Sequence, residues 1–336
     1  MADHSRYGGL TMTPPRSPSP DPAGSAASPV DVTGSADQAA RTRPLVVAVI
    51  GAGAIGGAVI EALERGDVPG ARLGDVLRSR STDEEITDAI EAADVVVEAG
   101  SVEAADVVVE AGSVEAAEEF IPRVTAAGRD MVVCSCGVFA RHSDPRDLLA
   151  GGSGAGRVLV PAGAIGGLDV LSAAARAGTD DALLRHYTIK SPAALDVDEQ
   201  LTERREVFRG SAREAALAFP LTSNASVALA LATLGLDRTE VVVVADPQVR
   251  RTRHVVEWVS PMGRYELQFE NAVDPDSGGR TSAITAWSVA EVLSGLAAGA
   301  GPGVVVLGQD PGRGSRREAK DRPVTGRPVE ARPPSP

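Results

Sequence analysis

Residues 45–57 read LVVAVIGAGAIGG. Six apolar residues run into glycines spaced GxGxxG, and AIGGAVIEALERG follows with the pattern of a helix: a buried strand, a tight turn and a helix in immediate succession. Few folds accept that order. Gly51 permits the turn, Gly53 lets backbone approach a pyrophosphate, and Gly56 lets the helix pack closely on the strand. With Ala54 and Ile55 they form a candidate dinucleotide-binding loop, whose amides and helix dipole favour phosphate.

The chain continues the same way. ARLGDVLRS reads as a strand, DEEITDAIEAAD as a helix with acids in its first turn, VVVEAG as a strand, VEAAEEFIPRVTAAG as a helix, and MVVCSCG and RVLVPAG as strands. Such alternation predicts a parallel sheet covered on both faces, the Rossmann plan, over residues 44–165. After the helix DVLSAAARAG the character changes. LRHYTIKSP, REVFRGS, EVVVVADP, HVVEWVS and RYELQFENA read as strands, several adjacent, with the helices SAREAALAF and NASVALALATLGL among them. This predicts a second, α+β domain over 166–300, with a last helix over 281–299 returning to the first domain. Residues 1–43 and 309–336, rich in Pro, Ser, Gly and Arg without apolar periodicity, read as disordered tails.

One feature resists the pattern. AADVVVEAGSVE occurs at 92–103 and again at 104–115. One EAGS loop is expected after the third strand, facing the nicotinamide half of a dinucleotide. Identical copies have equal local energies, so their flanks must decide. The second copy runs straight into VEAAEEFIPRV and keeps the short strand-loop-helix connection, so it is the expected strand.

An NAD site places an acid on the adenosine ribose about 20 residues beyond the loop. Here the second strand ends in LRSRS, and Arg78 and Arg80 could pair with a 2′-phosphate. The cofactor reading therefore leans to NADP over NAD, or to both.

Charge excludes other partners. Against 33 Lys plus Arg stand 46 Asp plus Glu, a formal net charge of -13, which repels nucleic acid and anionic lipid. The most apolar stretch is too short and glycine-broken to span a bilayer, and no secretory signal is legible, so the expected location is the cytoplasm. Cys134 and Cys136 with His142 give too few ligands for a metal site, and none is expected.

Several stretches together resemble the aspartate dehydrogenase family: VAVIGAGAIGG, PAGAIGGLDVLSAA, GSAREAA, GLDRTEV, VVADP followed by His254, and TSAITAWSVA, in order over about 45–297. The resemblance implies a Rossmann domain, a substrate domain, a homodimer, and reversible NAD(P)-dependent oxidation of L-aspartate to iminoaspartate or oxaloacetate, with the imine able to feed NAD biosynthesis. By position it puts the catalytic histidine at His254 and cofactor contacts at Ala164 and Asn224. The match departs at Thr252, where the family commonly has asparagine, at Lys190-Ser191-Pro192, and at GGRTS (278–282). These departures fall on the expected substrate pocket.

Chemistry agrees with the assignment. Removing hydride from an α-carbon requires an uncharged amine and hence a nearby group titrating around neutrality, a role suited to histidine. A dicarboxylate needs cationic and hydroxyl donors, for which Lys190, Arg280, Thr281 and Ser282 are the candidates. Lys190 is the only lysine between residues 44 and 308. Two other readings stay open: a dehydrogenase of another amino acid such as homoserine, and an NADP-binding sensor without turnover.

Overall fold

The structure, a computed structural model, describes residues 44–78, 81–91, 105–149, 156–197, 201–298 and 305–307. The expected tails, Arg80 and the first copy of the repeat lie outside the described residues.

The first sheet has the order β11-β5-β4-β3-β1-β2. Its strands are β1 (Leu45–Ile50), β2 (Ala71–Leu77), β3 (Val107–Glu110), β4 (Asp130–Val133), β5 (Val158–Val160) and β11 (Val305–Leu307). The first five run parallel, and β11 closes the edge antiparallel to β5. β1 and β3 are buried along their whole length, which is why each is an unbroken apolar run ahead of its loop. Helices α1 (Ala54–Glu64), α2 (Asp83–Glu91) and α3 (Val114–Ala126) make the crossovers. α2 starts on a reciprocal cap, with the Thr82 hydroxyl accepting from the Glu85 amide and the Glu85 carboxylate from the Thr82 amide. α3 starts on Ser113, whose side chain accepts from the Ala116 amide.

The second copy of the repeat supplies β3. Val107–Glu110 sits between β1 and β4, and the Asp106 carboxylate accepts from the Val46 amide at 2.8 Å. The loop from β3 to α3 is then only Ala111–Ser113.

The second sheet, order β10-β9-β6-β8-β7, is mixed. It contains β6 (Leu183–Lys190), β7 (Arg205–Ser211), β8 (Thr239–Ala245), β9 (Thr252–Ser260) and β10 (Gly263–Asn271). β6 and β8 are parallel and the other pairs antiparallel. β9 begins two residues before the expected HVVEWVS, so Thr252 is a buried strand residue. Helices α4 (Leu168–Ala177), α5 (Ala212–Ala218) and α6 (Asn224–Ala232) accompany this sheet. Leu168 and Leu171 of α4 and Leu229 of α6 pack with Leu184, Val256 and Trp258 of β6 and β9.

Two packing arrangements join the parts. One buried cluster extends from Ile50 and Val108 through Val138 and Phe139 of the 3-10 segment Cys136–Arg141 to α5, α6 and β8. Arg213 braces it: its guanidinium donates to the Ala140 carbonyl at 2.9 Å and pairs with Asp237 at 2.7 Å. In the other, α7 (Ile284–Ala297) lays Val289, Val292 and Leu293 in one cluster with Leu45, Val47 and Val49 of β1 and Val59 and Leu63 of α1.

Candidate active site

The loop after β1 is built for close approach. Gly51 has φ of 90°, and a Cβ there would fall 2.6 Å from the Cα of Gly112, so the loops after β1 and β3 touch backbone to backbone. A Cβ on Gly56 would fall 2.1 Å from the Gly51 carbonyl oxygen. Gly53 differs, since a Cβ there would meet nothing within 4 Å. It is the N-cap of α1, without a side-chain cap and with no acid in the first turn. That combination leaves amides and a positive dipole end facing open space, the donor set a pyrophosphate needs.

A groove runs along this edge of the sheet. Toward β2 it is lined by Gly51, Gly53, Arg78, Ser81 and Asp83; in its middle by Gly53, Ala54, Ile55, Gly112 and Ser113. It continues into a cavity lined by Ile55, Ala164, Lys190, Asn224, His254, Arg280, Thr281 and Ser282. The structure thus brings together the candidates placed by motif and those placed by resemblance. Arg78 sits past the end of β2, its amide donating to the Ser81 hydroxyl at 3.1 Å.

Beneath the groove lies a group that motif reasoning missed. Glu110, the last residue of β3, is fully buried. Its Oε1 accepts from the amides of Gly112 (2.8 Å) and Ser113 (3.1 Å) and from the Ser135 hydroxyl (2.8 Å), and Oε2 accepts from the Ser135 amide (3.0 Å). One carboxylate therefore holds the loops after β3 and β4. Burial pushes its pKa above the usual carboxylate range, while the four donors pull it back down in part. The only signal in the sequence was an acid closing an apolar strand.

At the cavity end, alternation along the strands decides which side chains meet. His186, Thr188 and Lys190 occupy one buried face of β6, and His254 lies opposite Thr188 on β9. His254 Nδ1 is 3.1 Å from His186 Nε2 and 3.5 Å from the Thr188 hydroxyl, whereas its Nε2 is buried without a hydrogen-bond partner. Burial, with the His186 ring and the Lys190 ammonium nearby, holds His254 well below the usual histidine range, not around neutrality as expected from the sequence, so in this structure its imidazole is neutral. His186 sits inside β6 and is fully buried, with Nδ1 2.9 Å from the Ser226 hydroxyl.

Lys190 is 4% exposed, donates to the Arg280 carbonyl at 2.5 Å, and is drawn down to about 8 by burial. The Arg280 guanidinium pairs with Asp196 through Nη2 at 2.9 Å, while its Nε is buried without a partner. Arg280, Thr281 and Ser282 ride on a braced loop, in which the Asp274 amide donates to the Thr281 carbonyl and the Ala283 amide to the Ala272 carbonyl. Ala164 lies on the loop after β5; Asn271 donates to its carbonyl at 2.7 Å. Asn224 opens α6 and accepts from the Gly137 amide at 3.3 Å. Among the described residues, no group of three or more His, Cys, Asp or Glu side chains could hold a metal ion, and no helix is long and apolar enough to cross a membrane.

A parallel sheet with a glycine-lined dinucleotide groove, joined to a mixed sheet that walls a histidine and lysine cavity, defines the class of nicotinamide-dependent dehydrogenases with a separate C-terminal domain. Comparison with known proteins narrows it. A family profile described as aspartate dehydrogenase, C-terminal, matches residues 169–296, and one described as homoserine dehydrogenase, NAD binding domain, matches 51–161. L-aspartate dehydrogenase 2 of Bordetella pertussis is 42% identical over 172 residues, which is 48% of this chain and 63% of that protein. L-aspartate dehydrogenase 3 of Bordetella bronchiseptica is 35% identical over 267 residues, 76% of this chain and 96% of that one. The crystal structure of aspartate dehydrogenase from Thermotoga maritima superposes with a TM-score of 0.53 at 28% identity, covering 75% of this chain and 96% of that chain. The chain belongs to the L-aspartate dehydrogenase family.

Proposed function

We propose that the protein oxidises L-aspartate to iminoaspartate, released as oxaloacetate and ammonia, with His254 as the acid/base. The observation that carries this reading is the unpartnered, buried Nε2 of His254 in one cavity with the Lys190 ammonium and the free Nε of Arg280, at the end of the dinucleotide groove. A dicarboxylate fits that donor set, because each carboxylate finds a cation or hydroxyl from Lys190, Arg280, Thr281 or Ser282 and its orientation is thereby fixed.

The nicotinamide, when bound, accepts the hydride from the substrate α-carbon. Gly53, Ala54 and Ile55 would hold the dinucleotide at the start of α1, and Ala164 and Asn224 its nicotinamide end. The protein's own work is to manage the proton. Neutral His254 takes it from the substrate ammonium at Nε2, leaving the amine uncharged; once it has passed that proton to solvent, the same nitrogen can take another from the water that hydrolyses the imine. Buried surroundings keep other water away from the reacting carbon.

For the cofactor, Arg78 beside Ser81 supports NADP over NAD, since the end of β2 offers a cation to a 2′-phosphate. Arg80, the other candidate, lies outside the described residues. A homodimer in the cytoplasm, with the imine feeding NAD biosynthesis, completes the proposal.

The deciding experiment is the initial rate of NAD+ and NADP+ reduction over a panel of L-aspartate, L-homoserine and other amino acids, with His254→Ala as control. Turnover of aspartate alone, lost in the control, is expected. Turnover of another amino acid would reassign the substrate and direct attention to Thr252 and the 278–282 loop; cofactor binding without any turnover would leave the sensor reading.

A further inference from the structure

We infer that His186, oriented by Ser226, is a positioning residue that fixes the tautomer of His254 and so makes its cavity-facing nitrogen a base. The inference rests on the acid/base role proposed for His254 and extends it to residues that touch neither substrate nor cofactor.

Three groups form a line: the Ser226 hydroxyl, 2.9 Å from His186 Nδ1, then His186 Nε2, 3.1 Å from His254 Nδ1. The two rings lie nearly parallel, 25° apart with centroids at 5.2 Å, and both are buried. Only one proton fits in the 3.1 Å gap, and its owner decides what the cavity meets. If His186 Nε2 carries it, His254 Nδ1 accepts and the neutral ring must keep its own proton on Nε2, a donor unable to take one from an ammonium. If His254 Nδ1 carries it, Nε2 is bare. In that arrangement His186 is protonated on Nδ1, and the Ser226 oxygen stands where that N–H needs an acceptor.

The protonated state points the same way. Once Nε2 has taken a proton, His254 carries N–H on both nitrogens, and its Nδ1–H needs an acceptor. His186 Nε2 supplies it at 3.1 Å; the Thr188 hydroxyl, at 3.5 Å, is the poorer alternative. His186 can keep that role because it is fully buried and its other nitrogen is engaged by the Ser226 hydroxyl, so the lone pair on Nε2 is left facing His254. It transfers no proton; it holds one lone pair in place, as the orienting group does in other histidine sites.

The test uses the full chain in three variants. His186→Phe keeps a buried ring and removes both nitrogens. His186→Gln returns an amide oxygen that can accept from His254 Nδ1. Ser226→Ala removes only the far acceptor. With 15N-labelled histidine, the ring nitrogens of His254 report its tautomer without turnover. Expected for His186→Phe is a kcat lower by about 10–100-fold, the usual effect of losing an orienting partner, with KM for aspartate within about threefold and a changed His254 15N pattern. His186→Gln should regain most of kcat and the original pattern, and Ser226→Ala should shift the pattern in the direction of His186→Phe. An unchanged 15N pattern in His186→Phe and Ser226→Ala overturns the inference, even if kcat falls. Should His254→Ala retain full turnover while the 15N pattern responds as expected, the acid/base role fails and the tautomer coupling stands.

Discussion

Lys190 lets function and stability be set against each other. Its ammonium lies in the cavity at 4% exposure, drawn from the ordinary lysine value of 10.5 down to about 8. That difference corresponds to about 3 kcal/mol by which folding disfavours the charged form. Replacing Lys190 with Met removes the charge and retains an unbranched apolar chain, but loses the hydrogen bond to the Arg280 carbonyl, worth about 1 kcal/mol. The variant should therefore be more stable than the parent at pH 7 by about 1–2 kcal/mol, a rise in Tm of roughly 2–4 °C for a chain of this size. The gain must depend on pH in one direction. Because the folded-state pKa is lowered, the unfolded chain binds the extra proton between about pH 8 and 10.5, and the parent gains stability as pH rises through that window. The variant's advantage is thus full below pH 8 and gone near 10.5. Thermal melts of both proteins from pH 6 to 10.5 measure this, and KM for aspartate at pH 7 should meanwhile rise about 10–100-fold, the loss of one charged hydrogen bond. A variant less stable at pH 7, or a Tm difference that does not change with pH, would refute the argument.

Glu110→Gln keeps the volume but turns one oxygen into a donor that faces only other donors, so the loops after β3 and β4 lose their common anchor. KM for the dinucleotide should rise at least about tenfold while kcat at saturation changes less, read from cofactor titrations at fixed aspartate. Gly56→Ala places a methyl group 2.1 Å from the Gly51 oxygen, forcing α1 off the sheet; cofactor binding by calorimetry should vanish, whereas Gly53→Ala, with open space around it, should fold normally and weaken binding only through steric conflict with the ligand.

How much of this was legible follows from what each residue's neighbours in sequence reveal. β1, α1 and their glycines carry their own periodicity and spacing, so strand, turn and helix could be read from residues 45–57 alone. The repeat could be resolved because loop length discriminates between its copies. β11 could not be read, as its strand exists only through pairing with β5, more than 140 residues away. The site divides likewise. His254 stood out by resemblance and chemistry, and Lys190 by being the only lysine in the core sequence, yet its burial was invisible. His186 was passed over because, from sequence, it stands near the start of its strand with no motif around it. Leu184, His186, Thr188 and Lys190 at alternate positions nevertheless put three polar residues on one face of β6, a pattern that can be sought in sequence, whereas the partners that β9 and α6 bring to it cannot.

The return of α7 to the first sheet has a consequence for the order in which the chain can fold. Val289, Val292 and Leu293 complete the apolar layer over β1 and α1, and β11 completes the sheet edge. The dinucleotide-binding part is made first by the ribosome and finished last. Until residues 284–307 emerge, the part of one sheet face that α1 does not cover stays open and β5 remains an open edge. Nascent chains therefore carry an adhesive surface through the synthesis of the whole second sheet, and a chain that ends early at a stop codon in that region would be left with it permanently.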